Sequence, residues 1–347
     1  MRRLWRWITR LLLAGIICVV LLVSPVIYVE TACRGDGVSE PYAAVLPPEV
    51  HRAEARTLMT YPEWHIVHAY DDYAKVISAG DPHDFGFLRS IAGFWQSLCA
   101  LTEASARHGG VDGETRQLVY VIGVSFSAEL LLKAAYEETA GRVIAMVRGS
   151  PRAPLDDLSA RQAADYARFL QQTPWYKWDF QRDAQALQDQ ATGVLRDRER
   201  RFALGLEYGA KAAYARVIAA AVAATGADAL RLRMLVDDLM TVTSDDITIV
   251  AVRPGGVEIE VPRYRKLTQL LDNLAAEGVD FIEIAGNDDI LFTALSDTPT
   301  HADAIHSFAR QGYDDHRHLI LVKVTELADI LRTLPGAGLQ LEHIHDY

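Results

Sequence analysis

Residues 11–29 read LLLAGIICVVLLVSPVIYV, nineteen residues without a charged side chain. An α-helix needs about 20 apolar residues to cross the hydrocarbon core of a bilayer. The ten residues before this stretch contain four arginines and no acid, and such a basic flank stays on the cytoplasmic side. We therefore predict that residues 1–30 form a cytoplasmic basic flank and an inner-membrane anchor. The bulk of the chain then lies on the periplasmic or outer side.

A cleaved signal sequence is the alternative for the same stretch. Its apolar region would be about 7–15 residues long and would end in small residues, whereas residues 28–30 are Tyr-Val-Glu. Cys33 after two small residues is similar to a lipoprotein cleavage site, but Glu30 stands where an aliphatic residue is expected. The sequence therefore favours an uncleaved anchor.

The composition restricts the partners and the compartment. The chain has 347 residues, with 35 Lys and Arg against 46 Asp and Glu, so its formal net charge is −11. Hydrophobic residues make up 50%, which excludes a disordered chain. The net acidity argues against a nucleic acid partner, because phosphate binding needs clustered Lys and Arg. Three cysteines cannot support a disulfide-dense scaffold, and the sequence leaves open whether Cys33 and Cys99 pair.

The middle of the chain has a helical pattern. Residues 31–57 contain two glycines and three prolines and indicate a linker. Residues 58–226 show helical periodicity with almost no strand alternation, which predicts a helical bundle. We expect Thr60 to cap the first helix and Pro62 to lie in its first turn. The predicted helices are 62–78, 84–107, 113–147, 156–172 and 181–224.

The last hundred residues change character, because short apolar or alternating runs indicate strands. The predicted strands are 245–251, 257–261, 280–286, 289–295, 318–324 and 339–345. The helical stretches between them are 263–277, 301–311 and 325–334. The nearest simple architecture for residues 245–347 is a ferredoxin-like α/β sandwich. The fold class expected for the whole chain is α plus α+β: a transmembrane anchor, a helical bundle and this C-terminal sandwich.

The most specific motif of the chain is an internal repeat, E-x-x-x-K-A-A-Y, whose two copies begin 78 residues apart at positions 129 and 207. Positions i, i+4 and i+7 lie on one helix face, so each copy places an acid, a lysine and a tyrosine in one stripe. The two stripes are Glu129, Lys133, Tyr136 and Glu207, Lys211, Tyr214.

Two interpretations of these stripes remain open. On solvated faces the pairs would be ordinary i,i+4 salt bridges, each worth a few tenths of a kcal/mol. Facing each other in a bundle interior, Glu129 and Glu207 would be acid–base groups or metal ligands, oriented by Lys133 and Lys211. The apolar sequence around both copies favours the second interpretation, in which all six side chains are candidate catalytic residues.

The helices near 117–136 and 203–224 are also long enough to cross a membrane. The loop between them, residues 141–201, has three more basic than acidic residues, whereas both flanks are acidic, as the positive-inside rule expects. The cost of inserting Glu and Lys opposes this arrangement. One anchor with a helical bundle outside the membrane is therefore preferred over three spans.

Histidines give a further candidate site. His65, His68 and Asp72 are spaced i, i+3 and i+7, which places them on one face of the first bundle helix, as a metal site requires. The metal is not identified by this spacing. His343 and His345 share one face of a strand, although scattered surface histidines are the ordinary expectation there.

Two functions of different class follow from these features. In the first, the protein is an inner-membrane enzyme that acts on a lipid or acyl-chain substrate through the Glu/Lys/Tyr site, with or without a metal ion. In the second, it is a non-catalytic envelope protein whose C-terminal domain binds a protein partner. The chain has no P-loop, no dinucleotide fingerprint and no C-x-x-C motif to favour another class.

Overall fold

The computed structural model describes residues 2–35, 37, 42–148, 152–225, 230–239, 244–253 and 255–347. The predicted N-terminal apolar helix is present as α1, Arg2–Ala32. Large apolar side chains from Trp5 to Leu21 are exposed, whereas Val29 and Cys33 are buried against the rest of the protein and a Cys33–Cys99 disulfide fixes this end. The helix is therefore joined firmly to the body at its C-terminal end alone.

Length and hydropathy single out two segments of the described chain as able to cross a membrane. They are Gly15–Ala32 in α1 and Gly113–Arg148. In the apolar 18-residue stretch of the second segment, 28% of the residues are buried. The predicted second span, 117–136, lies within Gly113–Arg148. The predicted third span, 203–224, does not meet the same criterion of length and hydropathy.

Residues 42–55 form an attached segment rather than a free linker. The hydroxyl of Tyr42 and the backbone N–H groups of Val45 and Leu46 all donate to the carboxylate of Glu283, at 2.9, 2.6 and 2.9 Å. This part of the chain is thereby held on the C-terminal sheet region. Residues 36 and 38–41 of the predicted linker lie outside the described residues.

Seven α-helices follow in the described part of the bundle region. They are α2 (Arg56–Ala79), α3 (Phe87–Ser105), α4 (Gly113–Tyr136), α5 (Arg142–Arg148), α6 (Pro154–Leu170), α7 (Phe180–Gln190) and α8 (Leu195–Thr225). Because α2 begins at Arg56, Pro62 lies inside the helix and the predicted cap at Thr60 is wrong. The predicted helix 181–224 is divided at residues 191–194, where Asp197 accepts the backbone N–H of Thr192. The predicted end at Gly226 lies outside the described residues.

The described residues of the C-terminal region form eight antiparallel strands. They are β1 (Arg231–Val236), β2 (Thr248–Arg253), β3 (Gly256–Pro262), β4 (Phe281–Ile284), β5 (Asp289–Ser296), β6 (Ala304–Ala309), β7 (His316–Lys323) and β8 (Gln340–His345). Two helices accompany them, α9 (Arg265–Ala276) and α10 (Val324–Thr333). The predicted mixture of helices and antiparallel sheet is confirmed. The prediction of a helix over 301–311 is wrong, because β6 lies there, and β1 was missed.

The ferredoxin-like sandwich is not confirmed, because the strands form two four-stranded sheets. Sheet 1 has the order β2-β3-β1-β4 and sheet 2 the order β6-β7-β5-β8. Both arise from the same succession, three strands, a helix and a fourth strand, with equivalent pairings. The region is therefore a structural duplication of one βββαβ unit.

The helices α9 and α10 each contact both units, α9 its own β3 and α10 its own β5 and β7. Helix α9 of the first unit packs on β8 of the second, and α10 of the second packs on β4 of the first. Thr268 joins α9 to β8, since its hydroxyl lies 2.8 Å from His343 Nδ1 and accepts the backbone N–H of Ile344. One apolar core runs through both units. The other face of sheet 2 packs on the helical bundle through Leu291 and Leu319.

Candidate functional site

The two repeat stripes meet between α4 and α8. Lys133 Nζ lies 2.9 Å from Glu207 Oε1 and 3.8 Å from Glu129 Oε1. Lys211 Nζ lies 2.8 Å from Glu129 Oε1 and 3.0 Å from Glu207 Oε1. Each lysine thus bridges the acid of its own helix and the acid of the facing helix. We call these four residues the Glu/Lys tetrad.

Tyrosines from other helices enclose the tetrad. The hydroxyl of Tyr70 on α2 donates to Glu129 at 2.6 Å and accepts a hydrogen bond from Lys211 at 2.9 Å. The Lys133 ammonium lies 4.9 Å from the centre of the Tyr73 ring, a cation–π distance. The four charged side chains are 15–30% exposed, so water reaches the edge of the tetrad.

The two tyrosines of the repeat do not reach the tetrad. The hydroxyl of Tyr136 donates instead to Glu199 at 2.6 Å. The exposed ring of Tyr214 stacks on Trp175, with ring centres 5.2 Å apart. The structure therefore brings together four of the six predicted catalytic residues and adds Tyr70, which the repeat does not contain.

The tetrad holds fixed charges. Burial alone would raise the pKa of Glu207, but Lys133 and Lys211 outweigh it and hold this pKa at about 2. Burial would also raise the pKa of Glu129, but the charge of Lys211 outweighs burial and keeps this pKa below its usual value. For Lys211, burial would lower the pKa, yet the facing acids raise it well above the usual value. Both acids and Lys211 thus stay ionised far on either side of neutrality, which suits a structural role better than proton transfer.

A second polar cluster continues the same helix seam and was missed from the sequence. Arg196 and Arg200, both almost fully buried, bind acids from four segments of the chain. The contacts are Arg196 with Asp81 (2.9 Å), Asp156 (2.8 Å) and Glu199 (3.0 Å), and Arg200 with Glu137 (2.8 Å) and Glu199 (2.6 Å). The available signal was the run R-D-R-E-R-R at residues 196–201, directly after the break between α7 and α8.

The predicted metal residues are buried between α2 and sheet 2, but they engage separate partners. His65 Nε2 lies 3.0 Å from a backbone carbonyl of α3, and His68 Nδ1 lies 3.6 Å from Glu342 Oε1. Asp72 accepts a backbone N–H from the turn between β6 and β7 at 2.9 Å. Burial lowers the pKa of His65 to about 3 and that of His68 well below the usual value, so both imidazoles are neutral.

Two further histidines, His343 and His345 of β8, lie against α2. The ring of His343 stacks on Trp64 with centres 3.4 Å apart, and His345 lies 4.8 Å from His343 and 5.3 Å from Tyr61. Both histidines are buried, so the expectation of surface histidines is wrong for this strand. Within the described residues, both ring nitrogens of His345 and the Tyr61 hydroxyl have no hydrogen-bond partner.

Groups of three metal-ligating atoms occur in two places among the described residues. One contains Cys33, Cys99 and Glu103, where the disulfide occupies both sulfurs. The other is Glu54, His108 and Asp289. Neither group includes the predicted residues of α2.

Two surface features bear on binding. A groove of about 610 Å³ lies between α1 and α4, lined mainly by apolar atoms, with Glu30, Arg116 and Tyr120 at its rim. The second feature is β2, an edge strand of sheet 1. Its side chains Ile249 and Val252 are 62% and 82% exposed, although this strand is rich in apolar residues.

The fold and these sites define an apolar N-terminal helix joined by a disulfide to a helical body and a duplicated antiparallel sheet region. Comparison of the chain with protein-family models, with curated proteins and with solved structures found no match. Its function is therefore inferred from its own residues.

Proposed function

We propose that this chain is a non-catalytic, membrane-anchored envelope protein that binds an extended segment of a partner protein along β2. Helix α1 crosses the inner membrane with its arginines in the cytoplasm, and the remaining helices and both sheets lie on the periplasmic or outer side. The Cys33–Cys99 disulfide supports this placement, since such bonds persist in oxidising compartments.

The observation that carries the proposal is the exposure of β2. Strand β2 pairs with β3 on one side, and in the part of the chain that the structure describes no strand pairs with its other side. Free backbone donors and acceptors on an apolar edge are a ready template for an added strand. Ile249, Val250 and Val252 supply side-chain contacts for an incoming strand of alternating apolar residues.

Lipid is the second expected partner. Large apolar side chains are exposed on the neighbouring helices α4, α5 and α8, which a body held close to a bilayer can bury in the interface. These residues are Leu118, Val121, Leu132, Val143, Met146, Val147, Phe202, Leu206 and Val217.

Photo-crosslinking in cells tests the partner. A photoreactive residue at Val252 in the full-length protein should give a crosslinked species of discrete mass, and Ile249→Glu in the same chain should abolish it. The control is the same photoreactive residue at Leu88, which is equally apolar and 65% exposed on α3. Identical products from positions 88 and 252, or a product that persists with Ile249→Glu, would contradict strand addition.

The second candidate function is an enzyme that acts on a lipid or acyl chain. The assembly of the Glu/Lys tetrad at a place that water reaches, near helices with exposed apolar residues, favours it. Lipid profiles of membranes should then change when the protein is overproduced and return to normal in a Glu129→Gln, Glu207→Gln variant. Lipid profiles that do not change on overproduction of either the parent or the variant would contradict the enzyme function and leave the binding function alone.

A further inference from the structure

Glu54, His108 and Asp289 converge where three segments of the chain meet. Glu54 lies in the turn before α2, His108 in the 3-10 turn Ala106–His108 after α3, and Asp289 at the start of β5. His108 Nδ1 is 3.5 Å from Glu54 Oε2 and 3.9 Å from Asp289 Oδ2. All three ligand atoms lie within 4.8 Å of one another.

The cluster is shielded and incompletely bonded. The side chain of His108 is 4% exposed, and those of Glu54 and Asp289 are 15% and 13% exposed. Glu54 Oε1 and His108 Nε2 are buried and have no hydrogen-bond partner among the described residues. The atoms that face each other across the cluster are Glu54 Oε2 and His108 Nδ1, and their separation of 3.5 Å is too long for a good hydrogen bond, so the buried imidazole has no close partner within the cluster.

The charges around the cluster do not balance. Asp288 approaches Glu54 closely enough for a hydrogen bond between the two side chains, although two carboxylates repel each other. Among the described residues, the ammonium of Lys323 contacts these acids, 2.7 Å from Asp289 and 2.9 Å from Asp288. The carboxylates of Glu54, Asp288 and Asp289 thus outnumber the ammonium of Lys323 by two, an excess of negative charge that a divalent cation would neutralise.

We propose that Glu54, His108 and Asp289 bind a zinc ion. Zn²⁺ takes one imidazole nitrogen and two carboxylate oxygens readily, and water completes a tetrahedral site. Tetrahedral ligands of zinc lie about 3.4 Å apart, so zinc binding requires the present separations of 3.5 and 3.9 Å, and the third separation of at most 4.8 Å, to close by side-chain rotation. Ca²⁺ is disfavoured, because it requires six to eight oxygens. The ion ties α2, α3 and sheet 2 together, independently of any partner at β2.

Zinc titration of the full-length protein, untagged and purified in detergent after chelator treatment, tests the site. Calorimetry should show one high-affinity equivalent, and zinc should raise the midpoint of thermal unfolding. His108→Gln and Asp289→Asn should each weaken zinc binding by at least about tenfold. His301→Ala is the matched control, since this half-buried imidazole lies 3.9 Å from the single carboxylate of Asp303.

Circular dichroism separates loss of the site from loss of the fold, because both variants should keep the helical spectrum of the parent. Absence of a high-affinity zinc equivalent in the parent protein would overturn the proposal. So would undiminished zinc binding in folded His108→Gln and Asp289→Asn, or a rise in unfolding midpoint with Ca²⁺ equal to that with Zn²⁺.

Discussion

Glu207→Gln should destabilise the protein strongly at pH 7. The lysines hold the folded-state pKa of Glu207 at about 2, against an ordinary value of 4.5. Each pKa unit corresponds to about 1.4 kcal/mol, so the charge of Glu207 contributes about 3 kcal/mol to the free energy of unfolding. The glutamine keeps the shape of the side chain and removes its charge.

The pH dependence has a definite sign. Because the folded-state pKa of Glu207 is depressed, its contribution is complete above pH 4.5 and is lost as the pH falls towards 2. Proton linkage with these two pKa values leaves about 1.4 kcal/mol at pH 3, roughly half the value at neutrality. The difference between parent and variant should therefore shrink by half between pH 7 and pH 3.

Urea unfolding in mild detergent, followed by far-UV circular dichroism at both pH values, measures this difference. Glu277→Gln is the control, since Glu277 is exposed at the end of α9 and its change should be within about 0.5 kcal/mol. A loss of only a few tenths of a kcal/mol in Glu207→Gln would show that the tetrad behaves as a solvated surface pair. A loss that does not diminish in acid would refute the electrostatic explanation.

Three further substitutions probe the packing. Cys33→Ala removes a crosslink to Cys99 across 66 residues and should lower the free energy of unfolding by about 4 kcal/mol, with no further loss on reduction. Gly123→Ala should cost about 1–3 kcal/mol, because its Cβ would lie 2.4 Å from a phenyl ring of α3, whereas Gly209→Ala on open α8 should be neutral or stabilising in the same assay. Arg317→Met on β7 should cost about 3–5 kcal/mol, because it leaves the carboxylate of Glu342, which is 14% exposed, without its buried arginine partner, and the midpoint of thermal unfolding should fall accordingly.

The sequence pattern predicted the four charged residues of the tetrad but not the tyrosine that binds them. The i,i+4 spacing placed Glu and Lys on one face of each helix, and the apolar surroundings indicated that the faces were covered. Nothing in that pattern identifies Tyr70, which comes from α2, 59 residues before Glu129. Tyr136, at position i+7, lies beyond the tetrad and next to the arginine cluster, so its hydroxyl donates to Glu199 instead.

The sheet region shows where local propensity fails. Residues 301–311 contain three alanines and mixed polarity, which indicates a helix, yet β6 forms there because β7 supplies a pairing partner. The alternation of Arg231 to Val236 was a readable strand signal. His343 and His345 share a face as expected, but whether that face is exposed depends on α2 and α9, which cover β8.

The packing of α9 and α10 across both units makes each unit depend on the other. The second unit starts 58 residues after the first, and each unit leaves its own fourth strand to be covered by the helix of its sibling. In a separated unit, α9 would keep its contact with β3, and α10 its contacts with β5 and β7, but the fourth strand would lose its cover. The two halves, cut apart between Ile284 and Asp289, should therefore need each other to complete their shared apolar core, and their joint stability should depend on their concentration.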